Sequence, residues 1–213
     1  MIKAFILDLD NTIYPAPSIA HIVFKPIYQL LEEHQQEIGK NKLPEIKMQM
    51  NKKAWQKIAE EHGFNDELTK KGADILRETE VDIPMQAFSD YELVKPFEVD
   101  KFLVTMGFTK MQEGKIKMLN LDQDFKETSV NDPEKSEDTK KEVFESILKR
   151  HGYKPEEVLV IGDDPDSEIK AGKDLGTPTV LYDRQNEFKD EQASHRIQNF
   201  AELEAIVAQY NHQ

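Results

Sequence analysis

Val158-Leu159-Val160-Ile161-Gly162-Asp163 is the stretch on which the fold turns. Its four aliphatic residues in a row, three of them β-branched, leave no polar position to face water. Such a run makes a strand covered on both faces. Gly162 ends it and a carboxylate follows. The same texture recurs on either side. Residues 2–8, Ile2-Lys3-Ala4-Phe5-Ile6-Leu7-Asp8, form a short apolar run halted by an aspartate. Lys101-Phe102-Leu103-Val104-Thr105 is another, broken by Gly107, and Pro178-Thr179-Val180-Leu181-Tyr182 is a third; residues 126–130 have the composition of a short strand. Helical spacing fills the gaps: 109–120, then 138–151 with Val143, Phe144, Ile147 and Leu148, then 166–175 up to Gly176, and finally about 200–210. Strands alternating with helices from residue 96 onward predict an α/β fold, a doubly wound parallel sheet to which the first strand also belongs.

Between the first two strands the period changes. Ile19, Ile22, Val23, Ile27, Leu30 and Leu31 recur at three- and four-residue steps, which predicts an amphipathic helix over 17–38. Pro26 inside it predicts a kink or break. Two further helices are expected over 44–62 and 65–80, separated by Gly63 and Asn65 as stop and cap. Residues 16–90 then read as an all-helical insertion, with 1–15 and 91–213 forming the α/β core. The charged stretch 131–141 reads as an exposed loop leading into a helix.

The chain has 213 residues, 28 Lys+Arg against 41 Asp+Glu, and a formal net charge of −13. That charge repels phosphate backbones and anionic lipid heads, so neither nucleic acid nor a membrane is an expected partner. There is no cysteine, which excludes disulfides, thiolate metal sites and a Cys nucleophile. The N-terminus is charged too soon for a signal peptide, and no window of eighteen apolar residues exists. A soluble cytoplasmic protein is the expectation.

Ligands of doubly wound sheets bind at the carboxyl ends of the strands. Here those ends carry Asp8-Leu9-Asp10-Asn11-Thr12, Thr105, and Gly162-Asp163-Asp164 with Glu168 shortly after. Carboxylates gathered at one edge raise each other's pKa unless a cation offsets them. Oxygen-only donors suit a hard divalent ion, and Mg2+ typically takes few carboxylates plus water and substrate phosphate. A carboxylate beside Mg2+ and a phosphoryl group can attack phosphorus. A lysine is then wanted, and Lys135, Lys140 and Lys141 all precede the next strand.

Asp8-Leu9-Asp10-Asn11-Thr12 resembles the D-x-D-x-T signature of the haloacid dehalogenase (HAD) superfamily. Phe102-Leu103-Val104-Thr105 resembles its second motif, a lysine ahead of Val143-Phe144 its third, and Gly162-Asp163-Asp164-Pro165-Asp166-Ser167-Glu168 its acidic fourth. The helical insertion stands where the family carries a helical cap. The resemblance implies a Rossmannoid core and a Mg2+-dependent phosphomonoesterase acting on a small phosphorylated metabolite through an aspartyl-phosphate. It implies Asp8 as nucleophile and metal ligand. Asp10 would be general acid and then base, its backbone carbonyl also on the metal. Thr105 would bind phosphoryl oxygens, a lysine would neutralise them, with the spacing to Phe144 favouring Lys140, and Asp163 would be the third protein ligand. Glu168 stands where the family usually has Asp, so it or Asp164 would serve the metal directly or through water. Residues just past the motifs, Asn11, Tyr14, Met106 and Gly107, are the candidates to meet substrate.

Asp10 argues against the dehalogenase branch, because an expelled halide needs no proton and that branch lacks the second aspartate and the metal. A phosphomutase of the same family and a non-catalytic phospho-acceptor or binding scaffold are the alternatives. Other readings fall away. A calcium loop needs glycine at its sixth position, where Ile13 stands, and glutamate at its twelfth, where Ile19 stands. No P-loop or G-x-G-x-x-G is present. A receiver-like signalling domain is shorter and has no helical insertion after its first strand. His21, His34, His62, His151, His195 and His212 form no H-E-x-x-H and read as satisfied or exposed. Trp55 reads as core of the helical insertion or as cleft lining.

Overall fold

The structure, a computed structural model, describes residues 1–188 and 193–211; His212 lies outside them. Six strands form one all-parallel sheet: β1 Ala4–Leu7, β2 Asp100–Met106, β3 Glu127–Asn131, β4 Val158–Gly162, β5 Thr179–Tyr182 and β6 His195–Ile197. Their order is β3-β2-β1-β4-β5-β6. The chain winds outward from β1 in one direction, then returns and winds outward in the other, so the crevice between the carboxyl ends of β1 and β4 is the switch point where such sheets bind ligands.

The four apolar runs form strands for the expected reason. All of β1 and β4 is buried, and side chains alternate between two hydrophobic layers. Ala4, Ile6, Val158 and Val160 meet Phe144, Ile147 and Leu148 of α8 (Lys140–His151) and Ala171 of α9 (Lys170–Leu175). Phe5, Leu7, Leu159 and Ile161 share the opposite layer with Met111 and Ile116 of α7 (Thr109–Met118) and Leu203, Ile206 and Val207 of α10 (Leu203–Asn211).

Six helices separate β1 from β2: α1 Pro17–Val23, α2 Lys25–Glu33, α3 Gln35–Ile38, α4 Leu43–Gln49, α5 Trp55–His62 and α6 Asp66–Glu78. The expected break near Pro26 falls at Phe24, which leaves Pro26 in the first turn of α2, where its missing N–H costs nothing. Asn65 caps α6 by accepting from Leu68 N at 2.8 Å. The single helix expected over 44–62 is instead two. The buried apolar residues step from Met50 to Trp55, five positions, since Ala54 between them is exposed, and this step leaves the stripe of the first helix. Trp55 is buried and donates from Nε1 to the Thr69 carbonyl at 2.8 Å, so it belongs to the packing between α5 and α6. Further on, 166–175 opens as a π-helical turn over Pro165–Ile169 before α9, and 200–210 opens as a tight turn over Phe200–Glu202 before α10.

The chain re-enters the sheet through a buried polar anchor. Asp90 accepts from Tyr182 Oη and Arg184 Nη1, both at 2.8 Å, and from Phe200 N at 3.0 Å. Across the molecule, Arg77 of α6 meets Glu134 through two hydrogen bonds of 2.5 and 2.6 Å, and Lys52 pairs with Glu187 at 2.9 Å. These contacts set the helices over the carboxyl edge of the sheet.

Candidate active site

The carboxyl edge is built from three strand ends held level by their pairing. Leu7 is in register with Leu103 on one side and Ile161 on the other. Asp8 therefore emerges beside Gly162 and Asp163, and its N–H donates to the Ile161 carbonyl at 3.0 Å. Beyond it the backbone turns tightly: Ile13 N donates to Leu9 O at 2.9 Å and Asn11 N to Tyr14 O at 2.8 Å. Asn11 adopts φ +58°, a conformation asparagine tolerates better than most residues. This loop lays Asp10 and Tyr14 side by side.

Two electrostatic groups result. In the first, one oxygen each of Asp8, Asp163 and Glu168 lie within 4.8 Å of one another. Glu168 reaches this place because residue 162 is glycine: a Cβ there would lie 2.7 Å from Glu168 Cγ. Lys140 is the cation among them. A capping box between Thr139 and Glu142 fixes the start of α8, and its first residue, buried, donates to Asp8 Oδ1 at 2.6 Å and contacts Glu168 Oε1. One ammonium against three carboxylates leaves an excess of negative charge. Burial raises Asp8, with Lys140 opposing and Asp10 adding to the rise. Burial and then the Asp8 charge push Asp163 up to about 8. Three crowded oxygen donors with uncompensated charge fit a hard divalent cation.

The second group surrounds Asp10. Burial pushes its carboxyl up, but the Lys115 charge and hydrogen bonds from Lys115, Tyr14 and Gln112 outweigh it and hold the group below its ordinary range. Lys115 Nζ and Tyr14 Oη donate to Oδ1 at 2.8 and 2.5 Å, and Gln112 Nε2 donates to Oδ2 at 2.9 Å. Gln112 also donates to Thr105 Oγ1 at 2.5 Å.

Known proteins share this arrangement of strands and helices. The family model for haloacid dehalogenase-like hydrolases matches residues 2–176. The chain belongs to this family. No curated protein sequence matches it significantly. Among solved structures, HAD-family neighbours span nearly the whole chain. YfnB of Bacillus subtilis, described as a HAD-hydrolase and bound to magnesium, is 21% identical, covers 97% of this chain and 98% of its own, and has a TM-score of 0.60. A HAD phosphatase from Thermococcus onnurineus is 19% identical over 97% and 98% of the two chains at a TM-score of 0.66. A 2-haloacid dehalogenase from Pseudomonas syringae is 17% identical over 99% and 100% at 0.59. Likenesses at this identity speak to the HAD-like fold alone.

Within this HAD-like hydrolase, Asp8, Asp10, Thr105, Lys140, Asp163 and Glu168 converge on one edge. Of the three candidate lysines, Lys135 is exposed and donates to Thr109 Oγ1 at 2.7 Å, and Lys141 is half-buried without a bond to Asp8; Lys140 meets the aspartate. Asp164 turns away to cap the next turn, accepting from Asp166 N at 2.8 Å. The Asp10 carboxylate is not part of the acidic trio. Asn11 points to the rim, donating to the Asn51 carbonyl at 3.1 Å. Met106 is exposed and Gly107 follows it at φ +146°. No sequence motif singles out Gln112 or Lys115. A signal exists nonetheless: both occupy the buried face of α7, beside Met111 and Ile116, where polar side chains are out of place.

A titration follows from the acidic trio. The unfolded chain releases the Asp163 proton near 3.8 and the folded metal-free protein near 8, so between those values the folded state binds more protons. Metal-free stability is expected to fall as pH rises through that window. Thermal melts in EDTA from pH 5 to pH 8 should show the decline, and Mg2+ should flatten it. A metal-free protein that is most stable at pH 8 would contradict this reading of the trio.

Proposed function

We propose that this HAD-like hydrolase is a Mg2+-dependent phosphomonoesterase acting on a small phosphorylated metabolite in the cytoplasm. The observation that carries the reading is the oxygen-only trio of Asp8, Asp163 and Glu168 with one lysine among them. These three residues, with the Asp10 backbone carbonyl, would hold the ion. When bound, Mg2+ supplies charge neutralisation that lets a phosphate ester approach four acids.

The side chains divide the remaining work. Asp8 attacks phosphorus, the bond to the ester oxygen breaks, and that oxygen takes a proton from Asp10. Asp10, then a carboxylate, takes a proton from the water that hydrolyses the aspartyl-phosphate, and phosphate leaves. The Asp10 environment already favours the carboxylate needed in the second half. In the first half, the negative charge of the arriving phosphoryl group favours its protonated form. Thr105 and Lys140 meet the phosphoryl oxygens. The helices between Pro17 and Glu78 serve as a cap, tied to the loop after β1 by the Asn11 bond to the Asn51 carbonyl.

A dehalogenase would release halide, which takes no proton and gives Asp10 no task. Purified protein is expected to hydrolyse an aryl phosphate with Mg2+ and to stop in EDTA, while releasing no chloride from a 2-chloro acid. Full phosphatase activity in EDTA would refute the metal assignment, and chloride release would refute the reaction class.

A further inference from the structure

Gln112 occupies a position that the reaction scheme above leaves without a role. It is buried at 2% exposure, on the inner face of α7. Its side chain packs on Gly107, where a Cβ would come within 3.2 Å of Gln112 Cγ and Cδ, so the backbone after β2 leaves room for this side chain. Its Nε2 faces three acceptors: Thr105 Oγ1 at 2.5 Å, Asp10 Oδ2 at 2.9 Å and the Met106 carbonyl at 3.3 Å. Carboxylate and carbonyl oxygens only accept, which settles that the amide nitrogen, not its oxygen, faces the site.

Two consequences follow. A threonine hydroxyl has one proton. With Gln112 donating into Oγ1, and no other side chain among the described residues bonded there, the Thr105 proton is left for an incoming acceptor. Asp10 is constrained as well. Gln112 holds Oδ2 while Lys115 and Tyr14 hold Oδ1, so the carboxylate cannot rotate without breaking hydrogen bonds at both oxygens. Among the described residues Gln112 alone hydrogen-bonds both Asp10 and Thr105.

We propose that Gln112 is a positioning residue: it directs the Thr105 hydroxyl proton toward the phosphoryl group and locks the Asp10 carboxylate in fixed relation to it. This rests on the phosphomonoesterase reading. The reaction needs the phosphoryl-binding hydroxyl and the acid–base carboxylate aligned on one phosphorus and its ester oxygen together. A displacement of about 1 Å in such a pair can cost on the order of a hundredfold in rate.

Gln112→Met keeps the length of the side chain and removes both donors; Gln112→Glu keeps its shape and replaces the donor with an acceptor facing Asp10. For each, kcat on an aryl phosphate with Mg2+ is expected to fall roughly 30- to 100-fold while KM changes less than about threefold. Crystal structures of the variants should show Asp10 and Thr105 in altered rotamers. A purely structural role would lower the melting temperature and leave kcat per folded molecule alone. If kcat stays within about threefold of wild type and both side chains are unmoved, the proposal is wrong. If Gln112→Met does not fold, Gln112→Glu decides by the same two readouts. If wild-type protein itself hydrolyses no phosphate ester, the functional reading fails, and the variant structures still decide whether Gln112 fixes the pair.

Discussion

Asp8→Asn is expected to lower phosphatase turnover on the order of 10⁴-fold or more, the scale of losing a nucleophile outright. An amide cannot attack phosphorus, and no other carboxylate can take its place: Asp163 and Glu168 belong to the same trio, while Asp10 is held by three donors. The variant should fold, because the amide keeps the shape of the carboxylate and its oxygen can still accept from Lys140. Its stability should change in a particular way. The Asp8 charge is second only to burial in raising Asp163. Removing it brings the Asp163 pKa down and flattens the fall in metal-free stability with rising pH. Two measurements check this: steady-state rate, and melts in EDTA across pH 5 to 8. A variant that retains a tenth of the wild-type rate places the nucleophile elsewhere. A variant whose melts keep the full wild-type slope means that Asp8 and Asp163 do not interact.

Much of the fold is legible in the amino-acid sequence, and the reasons are specific. The runs at 2–8, 101–105, 158–161 and 178–182 are readable because the covered inner strands of a parallel sheet are built around consecutive apolar residues, a pattern that short exposed segments do not share. β6 is not. His195-Arg196-Ile197 is three residues long, lies at the sheet edge and buries only Ile197 fully, so it carries no run and no alternation long enough to detect. The division of 44–62 is hidden because Asn51-Lys52-Lys53-Ala54 contains neither glycine nor proline. Ala54 even keeps a four-residue step from Met50, so the break shows only in the structure, where Ala54 is exposed and Trp55 is buried.

The site shows the same contrast. Acids at strand ends are placed by the strands, so Asp8, Asp10 and Asp163 can be read along with them. Glu168 needs the glycine at 162, whose missing Cβ makes room for it, and that relation spans a π-helical turn that sequence spacing does not reveal. Gln112 and Lys115 act across 102 and 105 residues of chain. Only the packing of α7 against the sheet at β3 brings them to Asp10.

Lys140→Met is expected to produce the second large effect, and it separates two roles of one ammonium. As a stabiliser of phosphoryl charge in the transition state, its loss should lower kcat roughly a hundredfold or more, the cost of removing one preorganised electrostatic partner. As the cation among Asp8, Asp163 and Glu168, its loss leaves three acids, two buried and one half-buried, facing one another. Breaking a buried ion pair from one side costs about 3–5 kcal/mol, because a charge is left without compensation. In the metal-free variant that penalty should appear mainly at high pH. Near pH 5, Asp8 and Asp163, each already raised by burial and by a neighbouring aspartate, can relieve the repulsion by taking up protons. A divalent ion at the trio would supply the missing charge, so Mg2+ should raise the melting temperature of the variant more than that of wild type at pH 8, without restoring the rate. That dissociation of stability from turnover is the outcome to look for. If Mg2+ rescues both equally, the ammonium is only a placeholder for charge; if it rescues neither, the ion does not bind at Asp8, Asp163 and Glu168. Lys135→Met, made at an exposed position away from Asp8, is the control and should change neither quantity by much.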